Sequence, residues 1–213
     1  MEFYNILRNM KNIFFISLVS LFALNIISCA KDEEHSSTST TTSDNTTSDN
    51  TPELFVTWGN SGTILTSSDN GTTWDNRTSG TSNGLYEISY GNNTFVTVGT
   101  SGTILTSSDN GTTWDSRTSG TSNMLYGVNA VTYGNNTFIT VGDSGTILTS
   151  SDGASWTSRT SGTSNNLWGV AFANNTFVVV GTSGTILTSS DGTTWDERTS
   201  GTTNTLWGVT YSQ

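Results

Sequence analysis

An all-β fold made of four repeated sheets is predicted by three features of the sequence. The stretch SGTILTSSD stands at Ser61–Asp69 and returns letter for letter at Ser101–Asp109, Ser144–Asp152 and Ser183–Asp191. Its last residue recurs at spacings of 40, 43 and 39 residues, a period that belongs to solenoids and propellers rather than to irregular globules. Between the copies Thr, Val, Ile and aromatic residues abound while helix formers are scarce, so the units are strands.

Each period divides into four short strands. In the second copy they are LYEISY (Leu85–Tyr90), TFVTVG (Thr94–Gly99), TILTSS (Thr103–Ser108) and TWDSRTS (Thr113–Ser119), separated by the turn signals GNN, TSG and DNG. Four antiparallel strands per period of about 40 residues make the blade of a β-propeller. The inner strands FVTV and FVVV do not alternate between apolar and polar, and Ile64 and Leu65 are adjacent. Neighbours on a strand point to opposite faces, so both faces must be covered, as they are when each blade sits between two others. The fourth strand carries Arg, Asp and Ser, which suits an exposed edge where charge discourages pairing with other chains.

The repeats do not begin at the N-terminus. Residues 1–28 read as a secretion signal, with Arg8 and Lys11 ahead of the apolar run Ile13–Ile27. That run has 15 residues, short for a membrane span. It leads into Ile26-Ile27-Ser28-Cys29, which resembles the lipobox of bacterial lipoproteins. The resemblance implies lipidation at Cys29, export, attachment to a membrane through an N-terminal lipid, and an outer-membrane or cell-surface destination. Residues 29–53 carry no large apolar side chain and cannot offset the entropy of ordering. They are expected to be a flexible tether of about 25–30 Å. The one histidine, His35, lies within it.

Composition excludes several function classes. Cys29 is the only cysteine, so no intrachain disulfide and no Cys-based metal site exist. From Leu54 onward ten acids face four bases, Arg77, Arg117, Arg159 and Arg198, for a net charge of −6. Phosphate recognition needs a basic stripe, so nucleic acid is not an expected partner. Neither a cofactor nor a metal is expected.

The stretch Ser67-x-Asp69-x-Gly71-x-Thr73-Trp74 resembles the Asp-box, or BNR repeat, of sialidase-type and photosystem II assembly-factor-like propellers. It recurs at Ser107–Trp114, and one residue shorter at Ser150–Trp156 and Ser189–Trp195. The match covers residues 54–213. It implies a structural role for Asp69, Trp74, Asp109, Trp114, Asp152, Trp156, Asp191 and Trp195: an ionised Asp bonds the turn's N–H groups, Gly supplies the left-handed dihedrals, and Trp folds beneath the turn.

A sialidase-like glycoside hydrolase is the alternative the resemblance raises, since that family uses a Tyr–Glu pair, an acid/base Asp and three arginines from distinct settings. Here every Arg stands in the same RTSGT context, and near-identical blades do not provide carboxylates in distinct environments. No catalytic residue is expected. A binding or scaffold role follows, for a protein or carbohydrate ligand. The candidate binding residues lie where outer strands lead to the next inner strand, at the aromatics Tyr86, Tyr126, Trp168 and Trp207. Glu87, which stands where other repeats have Gly, and Asp143 join them. Trp58 in place of Val and the insertion Val128–Ala130 are the other departures from the repeat.

The full expectation is a propeller of four four-stranded blades, 16 strands in all. LFVTW (Leu54–Trp58) aligns with second strands, so the first blade lacks its innermost strand, while residues 206–211 (LWGVTY) align with innermost strands. Pairing of the two is expected to close the ring, in a four-bladed monomer or an eight-bladed dimer.

Overall fold

The computed structural model describes residues 53–127 and 130–212, all within the second of the chain's two units, Asp49–Gln213. The signal, Cys29 and nearly all of the tether lie outside the described residues, as do Val128 and Asn129 of the insertion. Fifteen strands form four antiparallel sheets. The first sheet holds β1 (Phe55–Trp58), β2 (Ile64–Ser67) and β3 (Asp75–Arg77). The second holds β4 (Leu85–Gly91), β5 (Thr94–Gly99), β6 (Ile104–Ser107) and β7 (Asp115–Arg117). The third holds β8 (Val131–Gly134), β9 (Thr137–Val141), β10 (Ile147–Ser150) and β11 (Thr157–Arg159). The fourth holds β12 (Leu167–Ala173), β13 (Thr176–Gly181), β14 (Ile186–Ser189) and β15 (Asp196–Glu197). Within each sheet consecutive strands are neighbours, as short turns require.

Local chemistry fixes the register. The turns between second and third strands are single 3₁₀ turns, such as Thr100–Gly102, whose serines Ser61, Ser101, Ser144 and Ser183 hold positive φ of 53–56°. At the other end of the sheet, Asn92-Asn93, Asn135-Asn136 and Asn174-Asn175 take the left-handed conformation between first and second strands, as two-residue hairpins demand. Glu87 and Gly169 follow a bulge in β4 and β12. In the third sheet the inner strand starts only at Val131. The insertion displaces its start, although Leu125 stays buried and its N–H donates to the Gly99 carbonyl.

The adjacent Ile and Leu of each repeat explain the stacking. Ile64 is buried in one cluster with Leu105 and Trp114. Ile104 is buried with Leu148, and Trp156 packs against them. Ile147 is buried with Leu187, and Trp195 packs against them. Each sheet therefore turns its Ile to the following sheet and its Leu to the preceding one. Each such burial is worth about 1.5–3 kcal/mol. Close approach reinforces the contact: a methyl group added at Gly91 would collide with Tyr133, and one at Gly134 with Phe172.

Two expectations are corrected. Residues 206–212 form no strand, the first sheet has three strands rather than four, and closure is not seen. The steps between sheets are set by the contacts just described, and three of them leave the outer faces of the first and fourth sheets uncovered. Trp74 is the second correction. It folds against its own turn as expected, its Nε1–H donating to the Gly71 carbonyl at 3.1 Å, but it is not buried: it is 43% exposed while Trp114 is 8% exposed, because the tryptophan of each later repeat packs on the preceding sheet and the first has none.

Candidate functional site

The four SSD turns are alike and bind themselves. The Asp69 Oδ1 accepts from the Ser67 hydroxyl at 2.8 Å and the Thr73 N–H at 2.9 Å, and Oδ2 accepts from the Thr73 hydroxyl at 2.6 Å. Asp109 repeats all three bonds. In the shorter copies the left-handed Asn is lost and Gly153 or Gly192 alone carries the positive φ. Asp152 then accepts from the N–H groups of Ala154 and Ser155, and Asp191 from those of Thr193 and Thr194. These bonds favour the ionised form. The Thr73 side chain leads in holding Asp69 down to about 2, and Thr113 does the same for Asp109. The backbone N–H groups of Ser155 and Thr194 lead for Asp152 and Asp191, which are also lowered. A carboxylate kept ionised by the bonds of its own turn is not available as a general acid.

The arginines are engaged in the same way in every repeat. Arg77, Arg117, Arg159 and Arg198 donate from Nε to the hydroxyls of Thr66, Thr106, Thr149 and Thr188. Three also pair with the aspartate two residues before them, at 3.0–3.1 Å. Shallow polar grooves beside the RTSGT segments recur in each sheet, lined for example by Arg198, Ser200 and Thr202 or by Arg117, Ser119 and Thr121. Their recurrence marks them as part of the repeat. Among the described residues no group of three His, Cys, Asp or Glu is placed to hold a metal ion.

The repeats also build one feature that spans them. The N–H groups of Leu85, Leu125, Leu167 and Leu206 donate to the carbonyls of Gly59, Gly99, Gly142 and Gly181, at 3.0–3.1 Å. This bond pins the start of each inner segment to the sheet before it, with the leucine buried or half-buried. The next residue, always aromatic, is thus presented at the same level in every repeat. Tyr86 and Tyr126 lie with ring centroids 6.2 Å apart, Tyr126 and Trp168 at 4.4 Å, and Trp168 and Trp207 at 4.9 Å. The four predicted aromatics form one continuous row. Its rings are tilted to one another by 56–78°, so each packs on its neighbour, at about 0.5–1.5 kcal/mol per pair. Tyr86 and Trp207 at its two ends are exposed, 38% and 60%.

Asp143 joins the row. Burial first, then a hydrogen bond and the negative charge of Asp143, push the Tyr126 phenol up to about 12, with the Asn166 side chain acting the other way. Among the described residues the Asp143 Oδ1 and the Trp168 Nε1–H are buried and have no hydrogen-bond partner. Glu87 Oε1 accepts from the Ile88 N–H. Asn166 was missed in the sequence. Its Oδ1 accepts from the Ser144 N–H at 2.9 Å, and the change from Gly84 and Met124 to Asn at its place in the repeat was the available signal.

No family model matches this chain, and no curated protein does. Solved structures do. A structure of YCF48 bound to a D1 peptide is 20% identical with a TM-score of 0.55, over 74% of this chain and 53% of that one. YCF48 from Cyanidioschyzon merolae is 19% identical with a TM-score of 0.52, over 70% of this chain and 53% of that one. A GH74 enzyme of Niastella koreensis is 24% identical with a TM-score of 0.44, over 67% of this chain and 22% of its own. This chain spans about half the length of the YCF48 structures. The likeness to them shows the fold, a β-propeller arrangement of sheets.

Proposed function

We propose that this chain is a non-catalytic binding propeller, anchored outside the cytoplasm by lipid at Cys29, that takes an extended segment of a partner protein across the row Tyr86–Tyr126–Trp168–Trp207. One observation carries the reading: the four rings form one row across the repeats, with Tyr86 and Trp207 exposed at its ends. The side chains of an extended peptide pack on such rings. The YCF48 structure solved with a D1 peptide gives a precedent for a peptide on this fold.

A sialidase-like hydrolase has less support. The arginines it would need are bonded to threonines of their own sheets, and the box aspartates are bonded within their turns. The test is an array of peptides and glycans probed with the wild-type chain and Trp207→Ala, beside a panel of aryl glycosides. Peptide binding that weakens at least tenfold in the variant, without turnover, supports the reading. Release of the aryl group, or binding to glycans alone, overturns it.

A further inference from the structure

The described residues leave one set of contacts unmade, and its two halves lie at opposite ends of the array. In the second sheet Tyr90 pairs with Phe95, ring centroids 4.6 Å apart; Tyr133 with Phe138 and Phe172 with Phe177 repeat this in the third and fourth. The first sheet holds the second member only. Phe55 is 43% exposed, and Tyr211, the repeat equivalent of Tyr90, is 54% exposed.

The hydrogen bonds show the same gap. The Asn83 side chain donates to the Thr103 hydroxyl, Asn123 to Thr146 and Asn165 to Thr185, at 2.7–2.8 Å. Their equivalents Asn204 and Thr63 make no such bond. The N–H groups of Thr100, Asp143 and Thr182 donate to the carbonyls of Gly84, Met124 and Asn166; the equivalents are Asn60 and Thr205. The faces follow suit. Leu65 and Ile186 are half-buried, where Leu105, Leu148 and Leu187, and Ile64, Ile104 and Ile147, are buried. A methyl group at Gly111, Gly153 or Gly192 would touch side chains of the preceding sheet, whereas at Gly71 it would meet only Trp74.

We propose that two copies of this chain join end to end, each lending residues 206–211 as the missing inner strand of the other's first sheet, in one ring of eight sheets. The occupant is identified by the chain itself. Its fourth sheet presents the Ile face that the first sheet's Leu face lacks, and this contact is already made three times within one copy. Leu206 is pinned to Gly181 as the earlier leucines are pinned, so its segment starts where the first strand of a further sheet would start. A second copy repeats a contact already made three times within one copy, whereas the described residues show no contact that closes four sheets on themselves. A contact between unlike faces forms a ring when the rotation closes, and eight sheets lie within the usual 4–8. The proposal does not depend on the ligand reading.

Register gives the test. Ile88 lies opposite Thr97, which places Val209 opposite Thr57 in the completed sheet, within reach of a disulfide. In a Cys29→Ser background, full-length Thr57→Cys and Val209→Cys chains with different tags are co-expressed and oxidised. The expected result is a covalent species of twice the chain mass carrying both tags. A third chain bearing both cysteines distinguishes self-closure, since a bridge inside one chain overturns the proposal. Sedimentation of the chain without introduced cysteines guards against a folding failure. Two copies per particle are expected, and one copy, or an open-ended series, overturns it.

Discussion

The Tyr126 ring meets the Trp168 ring edge to face, centroids 4.4 Å apart and planes at 78°, while its phenol faces Asp143. Two repeats and a blade-specific carboxylate thus meet at one point. Elsewhere each arginine repeats one bond to a threonine from sheet to sheet.

Titration of Tyr126 reports that junction. Its folded pKa, about 12, is above the ordinary 10.0, so the neutral phenol is favoured by folding. The associated stability is fully present below pH 10 and is lost as pH rises through about 12. Absorbance titration is expected to show one tyrosine ionising last, absent in Tyr126→Phe. Asp143→Asn is expected to bring that late ionisation back toward 10.

The box aspartates are expected to act as equals. Their pKa values are lowered by folding, so the stability they give is present above the ordinary carboxylate range and is lost as pH falls through about 2 for Asp69 and Asp109. Asp69→Asn, Asp109→Asn, Asp152→Asn and Asp191→Asn should each lower the melting temperature by a similar amount at pH 7. The difference from wild type should shrink below pH 3. Loss of binding in one of them with stability intact would assign that aspartate a function.

Gly127 separates strain from collision. Its φ is +140°, and a methyl group there would collide with the Trp168 carbonyl. Gly120 has φ +73° and open space around its Cβ position. Gly120→Ala should cost about 1 kcal/mol from the left-handed backbone alone. Gly127→Ala should cost at least about 2–3 kcal/mol and disturb Trp168 fluorescence, read by urea denaturation with emission as the probe.

A surface pair should matter little. Asp115→Ala removes the bridge to Arg117 at 3.0 Å, but both side chains are substantially exposed. The expected change is under about 1 kcal/mol and smaller at high salt. Leu148→Ala, in the cluster between the second and third sheets, should cost about 2–5 kcal/mol in the same melt.

Periodicity made the sheets legible. The Ile64-Leu65 pair pointed to two covered faces, and the structure assigns Ile to the following sheet and Leu to the preceding one. The aromatic row was legible as four residues at one repeat position, since a fixed period presents like residues at like heights. Closure was not legible. Sequence matches residues 206–211 to the empty place beside Phe55–Trp58, but the angle between sheets depends on contacts such as Gly91 with Tyr133, which no single repeat encodes. Asn166 escaped notice because its role depends on Ser144, 22 residues earlier.

The central claim is that the aromatic row binds while the SSD turns only build the sheets. The most direct measurement is a paired titration of Trp207→Ala and Asp191→Ala against a peptide captured on the array, with the melting temperature of each. The account predicts a Kd at least tenfold higher for Trp207→Ala with the stability lowered by no more than the loss of one ring pair, about 0.5–1.5 kcal/mol, and a lower melt for Asp191→Ala with Kd within about twofold of wild type. An unchanged Kd in Trp207→Ala, beside lost binding in a still-folded Asp191→Ala, would contradict it.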